Sequence, residues 1–170
     1  MFGWLKKGSV DKEAVRRWRD AVTASARLPE PYLKGWVPDT IYGRFNMVAV
    51  VATFAMRRLR ACGADGREIS KAFAEMLFSD FDHALRENGV GDASIARRIR
   101  KMGEEFYGLA KAMDEALDAD APQKAIAAVL QRNVQPNHEN AMALADYILP
   151  ISEQVDALSD EAALAGPDTI

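Results

Sequence analysis

Two sets of residues in this chain have the types and spacing that chemistry would need. Asp80, His83 and Glu87 stand three and four positions apart, so on a helix two carboxylates and an imidazole share one face, as a divalent metal would require. Di-iron sites in helical bundles, however, use two Glu-x-x-His pairs and two further glutamates. The second histidine here, His138, follows Pro136 in a segment that reads as a loop. The set is therefore expected to cap or ion-pair on a solvated face. The second set is Gly89-Val90-Gly91-Asp92, in which two glycines follow a helix instead of a strand. That order makes an interhelical turn and not a phosphate-gripping loop. Serines, histidines and aspartates occur, but none has the setting of a nucleophile elbow or a triad. No catalytic residue, metal ligand or cofactor site is assigned.

Charge supplies stronger signals. Arg57, Arg58 and Arg60 fall at the end of one helical pattern, where cations favour the helix dipole. Arg97, Arg98, Arg100 and Lys101 crowd a later one, with Glu104 and Glu105 following to neutralise part of that charge. Each cluster fits a solvated face, and each also fits a phosphate-bearing partner, either anionic lipid or ribosomal RNA. The opening Met1-Phe2-Gly3-Trp4-Leu5-Lys6-Lys7 joins apolar and aromatic residues to paired lysines. It suits weak docking at a bilayer interface, a floppy terminus, or a contact with the first helix.

Six helices must position these groups, read from 3.6-residue periodicity. The first covers Asp11 to Ala26 on Val15, Trp18 and Val22; Pro29 and Pro31 end it and predict an extended connector through Tyr32, Gly35, Trp36 and Pro38. The second starts at Asp39 or Thr40 and carries Ile41, Phe45, Val48, Ala52, Ala55, Leu59 and Cys62, with Met47, Val51 and Phe54 beside them. A helix apolar on most sides is the central one of a bundle. Gly63 and Gly66 mark its end. The third runs from Arg67 to Glu87 and closes at Asn88-Gly89. Asp92 caps the fourth, with Ile95, Ile99, Met102, Phe106, Leu109 and Met113 on its stripe. Pro122 opens a short fifth, and Asn137 or Asn140 a sixth, which Pro150 is expected to kink or split.

The fold class is thus all-α: a single-domain bundle of about six helices with no sheet. Residues 1–10 read as a flexible N-terminal segment, 11–160 as the helical domain and 161–170 as a frayed tail. A length of 170 residues with 49% hydrophobic and 28% charged residues suits one ordinary globular domain. A net charge of −3 argues against general nucleic-acid binding, DNA included. Cys62 is the sole cysteine, so no intrachain disulfide can form, which favours a reducing compartment. The longest apolar run, Met47 to Met56, is about half of the ~20 residues a membrane-spanning helix needs. A cytoplasmic protein is expected, either free or peripheral on the inner face of the membrane.

From Ala26 to about Leu117 an ordered set of residues carries a resemblance. It begins with Ala26-Arg27, Pro29 and Tyr32, then Val37-Pro38-Asp39-Thr40, Gly43-Arg44-Phe45 with Met47, and Arg57-Arg58-Leu59. It continues through Phe78, Asp80, Asp82, Leu85-Arg86-Glu87, Gly89-Val90-Gly91-Asp92, Lys101-Met102 and Phe106-Tyr107-Gly108. In order and spacing this resembles the ubiquinol–cytochrome c reductase assembly chaperones in their bacterial form. The chain departs from that pattern at three places. Asn46 stands where the family often has Asp, Val51 where it often has His, and Leu109 where it tends to have Arg. A role tied to that histidine does not carry over.

The resemblance implies a non-catalytic helical chaperone that holds a hydrophobic membrane-protein client, cytochrome b, during assembly of the respiratory bc complex. The expected partner surface is Tyr32, Trp36, Val37, Pro38, Asp39, Thr40, Gly43, Arg44 and Phe45, with Tyr32 and Trp36 giving apolar area and Arg44 a charged handle. The same residues could serve the fold alone: Pro38-Asp39 as a cap, Gly43 for a close helix approach, and Arg44 paired with Asp80 or Asp82. Arg57, Arg58, Arg97, Arg98, Arg100 and Lys101 are candidates for contact with an anionic partner, a membrane surface or the ribosome. The rival reading is a small-molecule or lipid carrier, or a metal-dependent enzyme, with an interhelical pocket lined by Met47, Phe54, Phe73 and Met102.

Overall fold

The computed structural model describes residues 10–170 except 90, 135 and 136, and leaves undescribed the side chains of Asp92 and Ala93. The expected flexible segment, residues 1–10, and the lipid-docking motif within it therefore fall outside the described residues apart from Val10. Among the described residues all regular structure is helical. The order is α1 (Lys12–Ala26), α2 (Glu30–Leu33), α3 (Ile41–Ala61), α4 (Gly63–Glu87), α5 (Asp92–Leu117), α6 (Pro122–Asn133), α7 (His138–Asp156) and α8 (Asp160–Ala165).

The six expected helices are α1, α3, α4, α5, α6 and α7, and α3 is the central one, touching α1, α4, α5, α7 and α8. Its sequence explains that place. Met47, Val50, Val51, Ala52, Phe54, Ala55 and Leu59 point to several sides, and each is at most 1% exposed. α6 packs between α5 and α7, while α1 lies against α3 and α4.

Four sequence expectations are corrected. The proline-rich connector is not wholly extended. Pro29 stands at the cap and Pro31 in the first turn of α2, where a missing N–H costs nothing. Gly63, with φ of +79°, turns the chain as expected, but α4 starts there and Gly66 lies inside it. A Cβ on Gly66 would meet the Leu59 carbonyl oxygen at 1.9 Å, so this glycine lets the first turn of α4 cross the end of α3. α5 begins at Asp92 itself, with Gly91 in the cap position. α7 runs through the exposed Pro150 without splitting.

The tail also differs from the expected fraying over 161–170. Ser159 accepts a hydrogen bond from the Ala162 N–H at 3.1 Å and caps α8. Ala163 is fully buried, and its carbonyl accepts a 2.8 Å bond from the buried Trp18 indole N–H of α1. Gly166 follows with φ of +78°, where a Cβ would meet the Ala14 carbonyl oxygen at 2.7 Å. The core thus holds α1 and α8 together.

Candidate functional site

The expected partner surface begins at the connector between α1 and α3, and the fold itself uses most of it. The Tyr32 hydroxyl donates to the Ala26 carbonyl at 2.7 Å, and partial burial raises its pKa. Trp36 is half-buried against Tyr147 of α7, with ring centroids 6.0 Å apart. The Asn140 amide of α7 donates to the Gly35 carbonyl at 3.1 Å. Val37 is 1% exposed. Thr40, rather than Asp39, caps α3 by accepting from the Gly43 N–H at 3.1 Å. Gly43 is buried because the connector, not a neighbouring helix, approaches it: a Cβ there would lie 1.9 Å from the Pro38 carbonyl oxygen.

Arg44 does not pair with Asp80 or Asp82. Its guanidinium holds Asp39 at 2.8 Å and lies 5.0 Å from the centroid of the Tyr32 ring. That hydrogen bond raises its pKa further. Asp80 instead lies 3.8 Å from Arg19, and Asp82 binds Arg86 at 2.7 Å. His83 and Glu87 are exposed, and among the described residues no group of three His, Cys, Asp or Glu is placed to hold a metal ion. The part of the segment left open to a partner is Pro38, Asp39, Arg44 and the flank of Phe45, with Leu28 and Leu33 beside it at 48% and 83% exposed. Those two leucines were missed, because each sits between prolines and polar residues outside any periodic stripe.

Phe45 marks a boundary between two clefts. Its ring packs on Phe81 with centroids 4.6 Å apart, and both residues line each cleft. On one side α1, α3 and α4 enclose about 200 Å³, floored by Val48, Leu77 and Ala84 with Arg27, Arg44 and Asp80 as its charged lining. On the other, α3, α4, α5 and α6 enclose about 320 Å³. Met102, Phe106 and Leu109 of α5 complete its apolar floor, and Asn46, Glu105, Arg132 and Asn133 supply polar walls. Phe78 stacks edge-on against both Phe81 and Phe106 and props the floor from behind. Of the four residues expected to line an interhelical pocket, Met102 lines this cleft, whereas Met47, Phe54 and Phe73 are packed in the core. Asn46 and Leu109, two of the three departures from the family pattern, lie in the wall of this one cleft.

The basic clusters separate cleanly. Arg57 binds Asp118 at 2.6 Å and lies 3.7 and 3.9 Å from Asp114 and Asp156; Arg60 also binds Asp114. Arg58 is buried, donating to the Leu158 carbonyl at 2.9 and 2.7 Å and to Asp160 at 2.5 Å. These arginines hold the Asp118 and Asp160 carboxyls below their ordinary pKa. Arg57 and Arg58 are therefore fastened into the fold, which speaks against their expected role as anionic-partner contacts. On α5 the four cations are exposed. Arg98 donates to the Tyr42 hydroxyl, Lys101 lies 3.6 Å from Glu105, and Arg97 and Arg100 have no carboxylate partner among the described residues.

Among the described residues no helix is long and apolar enough to cross a membrane. A family model, Ubiquinol-cytochrome C chaperone, matches residues 34–169. The chain is also similar to a solved structure, the crystal structure of the Cbp3 homolog from Brucella abortus. The two share 32% identity at a TM-score of 0.82, over 94% of this chain and 90% of the other. No curated protein matches the chain.

Proposed function

The chain belongs to the ubiquinol–cytochrome c chaperone family, and from that premise we propose that it is a non-catalytic assembly chaperone for the bc complex, with cytochrome b as its client. The observation that carries this is the family match over residues 34–169. The site chemistry supports it. A helical domain presents two apolar clefts either side of Phe45, exposed leucines at 28 and 33, and cations around them, which suits a hydrophobic segment awaiting its partners.

Within the segment 32–45, the contact is made by Pro38, Asp39, Arg44 and Phe45, while Tyr32, Trp36, Val37, Thr40 and Gly43 hold that surface in shape. The unpaired cations of α5 face an anionic membrane surface, so the protein works as a peripheral one on the inner face of the membrane. Near a bilayer carrying anionic lipid each such cation contributes about 1 kcal/mol.

Affinity purification of the tagged full chain from its native membrane fraction tests the client. Cytochrome b should co-purify, and Arg44→Met should reduce its yield severalfold while the melting temperature stays within a few degrees. Absence of cytochrome b from the wild-type eluate would refute the assignment. A double variant, Arg97→Gln with Arg100→Gln, should move the protein from the membrane pellet to the supernatant. An unchanged distribution would remove the membrane from the partners.

A further inference from the structure

We infer that the larger of these two clefts, between α3, α4, α5 and α6, is a recognition site for a short apolar polypeptide stretch carrying a carboxylate close to its apolar anchor. The inference rests on the chaperone reading and names the chemistry its client must bring.

Charge comes first. Of the charged groups lining the cleft, Glu105 is answered by Lys101 at 3.6 Å. Arg132 at the end of α6 is exposed and has no ion-pair partner among the described residues. Arg98 at the neighbouring lip meets only the neutral Tyr42 hydroxyl. With Arg98 and Arg132 set against Glu105, itself answered by Lys101, the mouth is net positive, and an incoming carboxylate meets guanidinium groups that no carboxylate among the described residues offsets.

The floor selects the anchor. Phe45, Phe81, Phe106 and Met102 present ring faces and a thioether, surfaces that accept an aromatic or large aliphatic side chain. The walls favour a polypeptide over a lipid. Asn46 brings an amide donor and acceptor to the cleft, and Asn133, whose amide donates to the Val129 carbonyl at 2.7 Å, brings its side-chain oxygen; an alkyl chain seated there would pair with neither, at a cost. A peptide backbone supplies both partners. At about 320 Å³ the space lies at the small end of ligand pockets, enough for one or two side chains.

Two fluorescein-labelled peptides of equal length, each with a Leu-Phe anchor, test this. One carries Glu one turn after the anchor and the other carries Lys. Fluorescence anisotropy with the full chain should show the Glu peptide binding at least tenfold more tightly, with the gap closing as salt rises. Arg132→Glu, an exposed change, should reverse the preference. Ala49→Trp, which fills the cleft, should weaken both peptides at least tenfold with the circular-dichroism melt retained. Equal affinity for the two peptides, or a preference that Arg132→Glu does not alter, would overturn the proposal. So would phosphatidylglycerol vesicles whose binding Ala49→Trp abolishes while the peptides still bind, because the occupant would then be lipid. If wild-type protein yields cytochrome b and Ala49→Trp yields as much, the client reading stands and the cleft assignment falls. If wild type yields none while the peptides discriminate as expected, the cleft stands and the client reading falls.

Discussion

At its C-terminal end α3 brings three arginines against Asp114, Asp118, Asp156 and Asp160; at its N-terminal end one arginine meets the adjacent Asp39 and two clefts remain open. The C-terminal end borders about 480 Å³ of open space and is closed by ion pairs, not by packing; the N-terminal end leaves clefts of about 320 and 200 Å³ lined largely by apolar side chains. The aspartates at the closed end come from α5, α7 and α8, between 54 and 102 positions away in the chain, so each pair fastens a distant element. The open end has local polar contacts, Thr40 with Gly43 and Arg44 with Asp39, and reaches a distant element through a neutral group, the Tyr42 hydroxyl that accepts from Arg98. Elements are tied down where the bundle must hold, and surface is left available where a partner can reach it.

The largest expected effect is at the closed end. Arg58→Met removes both donors from the Leu158 carbonyl and the Asp160 pair, and should cost about 2–3 kcal/mol in urea unfolding. A loss below about 1 kcal/mol would show that this end is not locked. Gly43→Ala sharpens the contrast from the other side, because its Cβ collides with the Pro38 carbonyl. A loss of about 1–3 kcal/mol in thermal unfolding would show that the open end is shaped with equal care.

Smaller differences follow. Arg57→Gln, three-quarters buried among aspartates, should cost about 0.5–1 kcal/mol, whereas Arg44→Met at its half-exposed pair should stay within about 0.5 kcal/mol. Equal losses would erase the distinction between the ends. The weakest effect is on pH. Asp118 and Asp160 are held below their unfolded pKa by Arg57 and Arg58. Their stabilisation is thus complete above the ordinary carboxylate range, near pH 4, and lost as pH falls through the lowered folded values. Stability measured from pH 6 to pH 3 should therefore fall less steeply in Arg57→Gln than in wild type, and parallel profiles would contradict this.

Helix positions were legible because Ile, Leu, Phe and Val recur along them at helical spacing, and α3 announced itself as central by being apolar on several sides. α2 and α8 were not, because helices of four and six residues carry no stripe and are fixed by packing. Pro150 argued for a break, yet its exposed ring tolerates the lost hydrogen bond and α7 continues. At the site, Phe45, Phe81 and Phe106 were legible as core-facing residues. That their convergence leaves a cleft depends on how four helices meet, which no single periodicity records. Arg44 shows the same limit at short range, since Asp39, read as a cap, became a partner once Thr40 took the cap.

The bond from Trp18 to the Ala163 carbonyl spans 145 positions, and so sets an order of events during synthesis. α1 leaves the ribosome with the indole N–H unmatched, 145 positions before its acceptor is made. Until α8 arrives, α1 can pack against α3 and α4 but cannot complete its own burial. A contact this distant in sequence belongs to a late, slow step of folding.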